Sequence, residues 1–275
     1  MLTATDIGRF ISDGYVAVRR AIPTDVISGC QDVLWMDLAT RGIVRTDRST
    51  WTAPVIRLNC PEGGPFVAAG TAQALWEAYD QLLGEGTWWK RQGLGGTIPV
   101  RFPSEADPGD AGWHIDGSFD GPDGRYRVNV RSKMRGLLVL VLLTDVDERS
   151  APTRILQGSH LDVPRVLAAA GEGGLSFGQV APRLPASTFK REQVLAEGKG
   201  GDVYICHPFL VHAASWPHRG AHARMIAQPG VGIPAPLPSE RGPISARSRP
   251  RSFSACVTRR RPGRDQAGAA PWVLT

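Results

Sequence analysis

Apolar residues return at helical spacing in the first third of the chain and then give way to short runs typical of strands. Residues 5–13 read as a short helix with Thr5 as its cap, and "YVAVRR" after it reads as a strand. "PTDVISGCQDVLWMDLATRG" predicts a second helix, with Pro23 and Thr24 at its start and Gly42 beyond its end. A third helix is predicted over Phe66–Leu83. From about residue 94 the texture changes to "GGTIPVRF", "YRVNVRS", "GLLVLVLLTDV", "TRILQGS", "GDVYICHP" and "ARMIAQP", separated by Gly, Pro and Asp. Such spacing predicts a sandwich or barrel. A single helix, Val163 to Ala170, interrupts it, and no internal repeat is visible. The pattern therefore predicts a mainly β protein with N-terminal helices: a helical layer over residues 1–90 packed on a double-sheet jelly roll over 94–230.

Length and composition fit that picture. The chain has 275 residues, 42% of them hydrophobic, enough for one large core. Its longest apolar run, Leu137 to Leu143, is too short to span a bilayer, so no membrane partner is expected. "MLTATDIGRF" lacks a basic region followed by an apolar stretch, which predicts no signal peptide. The cysteines at 30, 60, 206 and 256 form no CxxC pair, and the simplest expectation is a reduced, cytoplasmic protein, monomeric or homodimeric.

A net charge of +6 invites a nucleic-acid reading until the charge is located. Residues 231–275 hold eight arginines against Glu240 and Asp265, and the remaining 24 basic and 24 acidic residues balance. The excess is confined to the tail, where no aromatic residues interleave with the basic ones, so a nucleic-acid partner is not expected. The tail is rich in Pro, Ser and Arg, a composition that predicts either a disordered extension or the out-of-frame end of a GC-rich coding sequence.

The candidate chemistry begins in "GWHIDGSF", residues 112–119. Two residues apart on an extended chain, His114 and Asp116 point to the same side. A second histidine cluster follows much later, in "CHPFLVHAASWPHRGAHARMIAQP". Two imidazoles and one carboxylate make the facial triad that holds Fe(II) on one side and leaves three positions open. A jelly roll can bring His-x-Asp and a distant His on a late strand together. Arg224, twelve residues past His212, is placed to grip a dicarboxylate co-substrate.

Four segments in order resemble the phytanoyl-CoA dioxygenase family of Fe(II)/2-oxoglutarate oxygenases, over roughly residues 5–230: "SDGYVAVRRAIP", "WHIDGSF", "APTRILQGSH" and "HPFLVHAASWPHRGAHAR". The resemblance implies a cupin-like double-stranded β-helix in which His114, Asp116 and His212 bind Fe(II), with Arg224 binding 2-oxoglutarate and O2 as second co-substrate. It departs at Ala214, where relatives often place a hydroxyl, and Ser215 is the candidate substitute. Arg101 and Arg131, both expected on strands near the site, are further candidates for co-substrate or substrate binding. His160 is expected to brace the "QGSH" turn, His207 to face away from His212, and His218 and His222 to be solvated. Trp88, Trp89 and Trp113 could pack or could line a substrate pocket.

The implied activity is hydroxylation of a small-molecule substrate with release of succinate and CO2. Asp116 fills the position a halide would need, which disfavours halogenation. No basic, phosphate-binding loop suited to coenzyme A is visible. The rival from another class is a jelly-roll binding protein without catalysis.

Overall fold

The computed structural model describes residues 1–237. In chain order its helices and strands are α1 (Ala4–Asp13), β1 (Tyr15–Val18), α2 (Thr24–Thr40), β2 (Val55–Asn59), α3 (Pro65–Gly70), α4 (Gln73–Leu83), β3 (Thr97–Arg101), β4 (Phe119–Asp120), β5 (Tyr126–Val128), β6 (Leu137–Leu142), β7 (Arg154–Leu156), α5 (Val163–Ala169), β8 (Leu175–Ser176), α6 (Phe177–Val180), β9 (Gln193–Leu195), β10 (Val203–Cys206), β11 (His212–Ala213), β12 (Arg224–Ala227) and β13 (Gly230–Val231). The large sheet runs β1-β10-β6-β12-β3-β2, with β13 also against β6. A smaller sheet runs β11-β7-β9 and a third β4-β5-β8. Strand pairing is antiparallel throughout.

The run "LLVLVL" of β6 has no polar face because both of its faces are covered. Leu137, Val139 and Val141 join Val203, Ile205, Met225 and Ala227 in a cluster against the helices. Ile27, Cys30, Leu34 and Leu38 supply the α2 side of that cluster, spaced at helical intervals. Leu138, Leu140 and Leu142 face the other way and pack with Ile155 of β7, Ala196 and Leu210. The jelly roll is thus a sandwich of the large and small sheets, with the helical layer outside the large one. Truncating one of these buried leucines to Ala would cost ~2–5 kcal/mol.

The same alternation places the arginines. Met225 and Ala227 of β12 face the helices, so Arg224 and Ile226 face the interior of the sandwich. In β3, Ile98 and Val100 face the helices and Arg101 takes the opposite face, level with Arg224 across the ladder.

Several expectations need correction. The cap of α1 is Thr3 rather than Thr5: its hydroxyl accepts from Asp6 N–H, and the Asp6 carboxylate accepts from Thr3 N–H in return. The helix predicted over Phe66–Leu83 is two, α3 and α4, separated at Thr71–Ala72. Gly70 lies so close to the Gly93 backbone that a Cβ there would stand 2.1 Å from the carbonyl carbon. The Thr71 hydroxyl donates to Val67 O (2.8 Å), and Trp76 Nε1 to Gly70 O (3.1 Å), so the break is fully hydrogen-bonded. Strand β2 was not anticipated; it pairs with β3 over five residues. The ordered domain also runs past residue 230, because Val231 pairs with Leu137 and both Val231 and Ile233 are buried. The rest of the tail expectation, from residue 238 on, lies outside the described residues. No helix among the described residues is long and apolar enough to cross a membrane. Cys30, Cys60 and Cys206 are free thiols.

His207 sits at the seam between α1 and the sheets. Its N–H donates to Gly14 O (2.8 Å), its Nδ1 accepts from Phe209 N–H (3.1 Å), and its ring lies 4.9 Å from that of His160. His160 Nε2 is 3.2 Å from Ile11 O, so it braces the turn onto α1 as expected. Burial, with the neighbouring His160, pushes His207 down to about 3. The folded state therefore refuses a proton that the unfolded chain accepts below about pH 6.5. Stability conferred by neutral His207 is complete above that pH and is lost as pH falls toward 3. Between pH 6.5 and 5 this one group should remove about 2 kcal/mol. His207→Asn, whose Oδ1 can accept from Phe209 N–H, should flatten the pH dependence of the urea midpoint by that amount.

Candidate metal centre

The segment around His114 is extended, and alternation sorts its side chains. Trp113 and Ile115 turn into an apolar cluster with Val163, Leu167, Val180 and Val211, while His114 and Asp116 turn to the opposite side. His114 and His212 are directly paired: each N–H donates to the other's carbonyl at 2.9 Å. Side chains directly opposite on an antiparallel pair share a face, and the two imidazole rings lie 4.4 Å apart. His212 in turn pairs with Ile155 of β7, which fixes its strand from the other edge. Ligand atoms of His114, Asp116 and His212 all lie within 4.8 Å of one another.

Backbone carbonyls set the tautomers. His114 Nδ1 is 2.8 Å from Gly112 O, and His212 Nδ1 is 3.0 Å from Leu210 O. Each Nδ1 must carry the proton to make that bond, so each Nε2 presents a lone pair. Burial, and then the neighbouring His212, push His114 down to about 4, which keeps it neutral at pH 7. Burial alone would raise the Asp116 carboxyl, but Arg135 and the two imidazoles overrule it and hold the group below the ordinary carboxylate value. Two neutral nitrogens and one carboxylate oxygen are a donor set suited to Fe(II), and these residues fit that ion.

A second arginine holds the frame. Arg154 Nε donates to Ala214 O (3.1 Å) and another of its nitrogens to Ala111 O (2.6 Å). Its guanidinium stacks over Trp113 at 4.6 Å. It therefore clamps the chain just before His114 to the chain just after His212, and among the described residues no carboxylate pairs with it.

Arg101 and Arg224, each 3% exposed, stand side by side in the interior. Arg224 donates to Ala151 O (3.0 Å), and Arg101 to Asp110, which also pairs with Arg57. The Nε of both Arg101 and Arg224 is buried without a partner. Burial and the charge of Arg101 push Arg224 down to about 9, against the pull of Asp110, so it remains a cation at neutral pH. One partly exposed carboxylate among these guanidiniums leaves unpaired positive charge, the complement of an anion.

The remaining expected residues divide. The Ser215 hydroxyl donates to Pro152 O (2.5 Å), so its proton is already used. Arg131 is an exposed loop residue facing Glu172 rather than a strand residue at the site. His218 is buried, not solvated: Nε2 donates to His222 O (2.8 Å) and Nδ1 accepts from Gly220 N–H (3.1 Å). His222 is exposed. Trp88 packs among Trp76 and Tyr79 in the helical core, Trp89 is half-exposed, and Trp113 is a packing residue under Arg154. Phe177, half-exposed at the start of α6, lays its ring 4.2 Å from that of His114. Sequence reasoning missed Arg135, Arg154, Asp110 and Phe177, none of which stands at a spacing that points to the triad.

Many solved structures resemble this chain, among them the following three. The epimerase SnoN in complex with Fe3+, alpha-ketoglutarate and nogalamycin RO matches with TM-score 0.58 at 16% identity, over 83% of this chain and 82% of that one. The non-heme alpha-ketoglutarate-dependent carbocyclase SnoK from nogalamycin biosynthesis matches with TM-score 0.56 at 19% identity, over 84% of each chain. HygX from Streptomyces hygroscopicus, with nickel and 2-oxoglutarate bound, matches with TM-score 0.51 at 15% identity, over 85% of this chain and 88% of that one. These likenesses establish the fold, a cupin-like double-stranded β-helix with added helices. No family model matches the chain, and no curated protein matches it in sequence.

Removing the Arg154 clamp should be felt at both histidines. Arg154→Met should lower stability by ~1–3 kcal/mol through the two stranded carbonyls. Hydrogen exchange at the His114 and His212 amides should accelerate, which mass spectrometry of the corresponding peptides will report.

Proposed function

We propose that the chain is an Fe(II)- and 2-oxoglutarate-dependent oxygenase of the phytanoyl-CoA dioxygenase kind, hydroxylating a small-molecule substrate with release of succinate and CO2. The observation that carries this reading is the convergence of His114, Asp116 and His212 with both Nε2 lone pairs and an ionised carboxylate turned to one point. Iron bound there, with 2-oxoglutarate and O2, supplies the oxidising chemistry. The chain's own side chains bind and orient.

Arg224 is the partner of the co-substrate's distal carboxylate, with Arg101 beside it as a second charge. The two buried, unpartnered Nε groups support this, because a buried guanidinium donor left without an acceptor is costly and an anion would supply one. Ser215 is the weaker anchor, since Pro152 already takes its proton. SnoN in complex with Fe3+ and alpha-ketoglutarate, and the alpha-ketoglutarate-dependent SnoK, support the cofactor pair, and nogalamycin RO in the SnoN complex supports a small-molecule substrate. Asp116 takes the position a halide would need, so hydroxylation is favoured over halogenation. The free thiols of Cys30, Cys60 and Cys206 agree with a cytoplasmic location.

Anaerobic titration of the full chain with Fe(II) and 2-oxoglutarate tests the reading. A weak visible charge-transfer band should appear with about one iron per chain. His114→Ala and His212→Ala should abolish both the band and tight iron binding, while His207→Ala should keep them. Arg224→Ala should retain iron and weaken 2-oxoglutarate tens- to thousands-fold, as expected for ~2–5 kcal/mol lost from a buried charge pair. Iron content unchanged in both triad variants would remove the reading, and a wild-type chain without the band would favour a binding protein. Substrate-stimulated succinate release across a metabolite screen then identifies the substrate.

A further inference from the structure

The Asp116 carboxylate does not treat its two oxygens alike. Oδ1 faces His212 Nε2 at 3.9 Å, on the side of the triad. Oδ2 faces away, and an Arg135 nitrogen stands 3.0 Å from it. That nitrogen is buried and makes no hydrogen bond, so it meets Oδ2 as a charge, an ion pair without a donated proton. The Arg135 Nε is turned aside, donating to Gly117 O at 3.2 Å. An arginine serving only to neutralise a carboxylate would take both oxygens in a fork. Here no hydrogen bond joins the guanidinium to the carboxylate: its charge lies closest to Oδ2, its Nε serves the next residue's carbonyl, and Oδ1 is the oxygen nearest His212.

We infer that Arg135 is a positioning residue of the metal centre: it holds Asp116 by Oδ2 so that the ion receives Oδ1 alone. The inference rests on the iron reading above. Its consequence is coordinative. A carboxylate that chelated through both oxygens would occupy one of the three positions a facial triad must leave open. Pinning Oδ2 prevents that chelation.

The arginine is itself held. Its stem lies against Gly230, where an added Cβ would come within 3.3 Å of an Arg135 nitrogen. The following residue, Gly136, donates to Val231 O at 2.5 Å, and a Cβ there would meet Ile233 at 2.4 Å. Strand β13 and Ile233 beyond it therefore anchor the base of the arginine, while Gly117 O holds its Nε. Nothing in this arrangement is a loose surface ion pair, because both partners are mostly buried.

Co(II), whose visible spectrum reports its ligand geometry, is the probe, titrated into the full chain and into Arg135→Met and Arg135→Lys. Arg135→Met keeps the stem and removes the charge. It should weaken Co(II) about 10–100-fold, the usual effect of losing a residue that orients a ligand. At saturating metal it should also change the spectrum, which loss of folded protein would not do. Arg135→Lys, which can still reach Oδ2 with a charge, should recover most of the affinity and the original bands. If Arg135→Met fails to fold, Arg135→Gln takes its place in the comparison. Wild-type affinity and spectrum in the uncharged variant overturn the positioning role and leave the iron reading standing. A wild-type chain that takes up no Co(II) ends the iron reading, and this role with it.

Discussion

Everything at the centre depends on one backbone pairing, the reciprocal hydrogen bonds between His114 and His212. Neither histidine alone is remarkable by composition, and the chain between them makes most of the jelly roll. The pairing turns two remote residues into immediate neighbours with both side chains on one face. Its support comes from three directions. Strand β7 holds the far edge of His212, Trp113 and Ile115 anchor the His114 side in an apolar cluster, and Arg154 ties the two flanks together. A bridge of a single residue pair would be weak in isolation, since short two-stranded pairings are marginal in water. Embedded in this way it becomes the most constrained point of the small sheet.

Four arginines do three different jobs around that point. Arg154 satisfies carbonyls that the short bridge leaves open. Arg135 meets the carboxylate of the triad. Arg101 and Arg224 are aligned across a ladder, and together they have more charge than Asp110 can balance. Burying two like charges side by side is unfavourable unless something compensates, and the protein side chains compensate only in part. The orphaned Nε groups record the same deficit in hydrogen bonds. Such an arrangement costs stability, and it is the feature on which the proposed anion-binding role of Arg224 rests.

Much of this was legible in the chain, for identifiable reasons. The run Leu137–Leu142 declared a strand, and the spacing of His114 and Asp116 declared a shared side, which follows from the period of two. The helix α2 was legible from Pro23 to Gly42 because its punctuation is strong. What was hidden depended on contacts between distant segments. The break between α3 and α4 is set by the Gly93 backbone pressing on Gly70, and nothing local to residues 66–83 shows it. His218 reads as a turn residue in "PHRGAH", yet the turn folds over it and the carbonyl of His222 takes its proton. Arg135 reaches Asp116 only because β4 and β5 fold the intervening chain back on itself, and sequence spacing has no access to that.

The alternation of faces also decides what kind of site this can be. In β3 and β12 the residues that face the helices are apolar, and Arg101 and Arg224 face the interior of the sandwich. The helical layer therefore lies on the side of the sheet away from these arginines. Its work is to cover the outer face of the large sheet so that β6 can be apolar on both sides, which stiffens the sheet from which Arg224 projects. The open side is built differently. Phe177 begins a helix of only four residues and is half-exposed against the His114 ring. The nearby sheet β4-β5-β8 has strands of two or three residues, too short to be rigid by themselves. Longer strands thus carry the cationic pair, while the elements beside His114 are short and Phe177 is half-exposed. A firmly held side-chain cluster beside short, partly exposed elements is the general division between a rigid scaffold and the loops it positions.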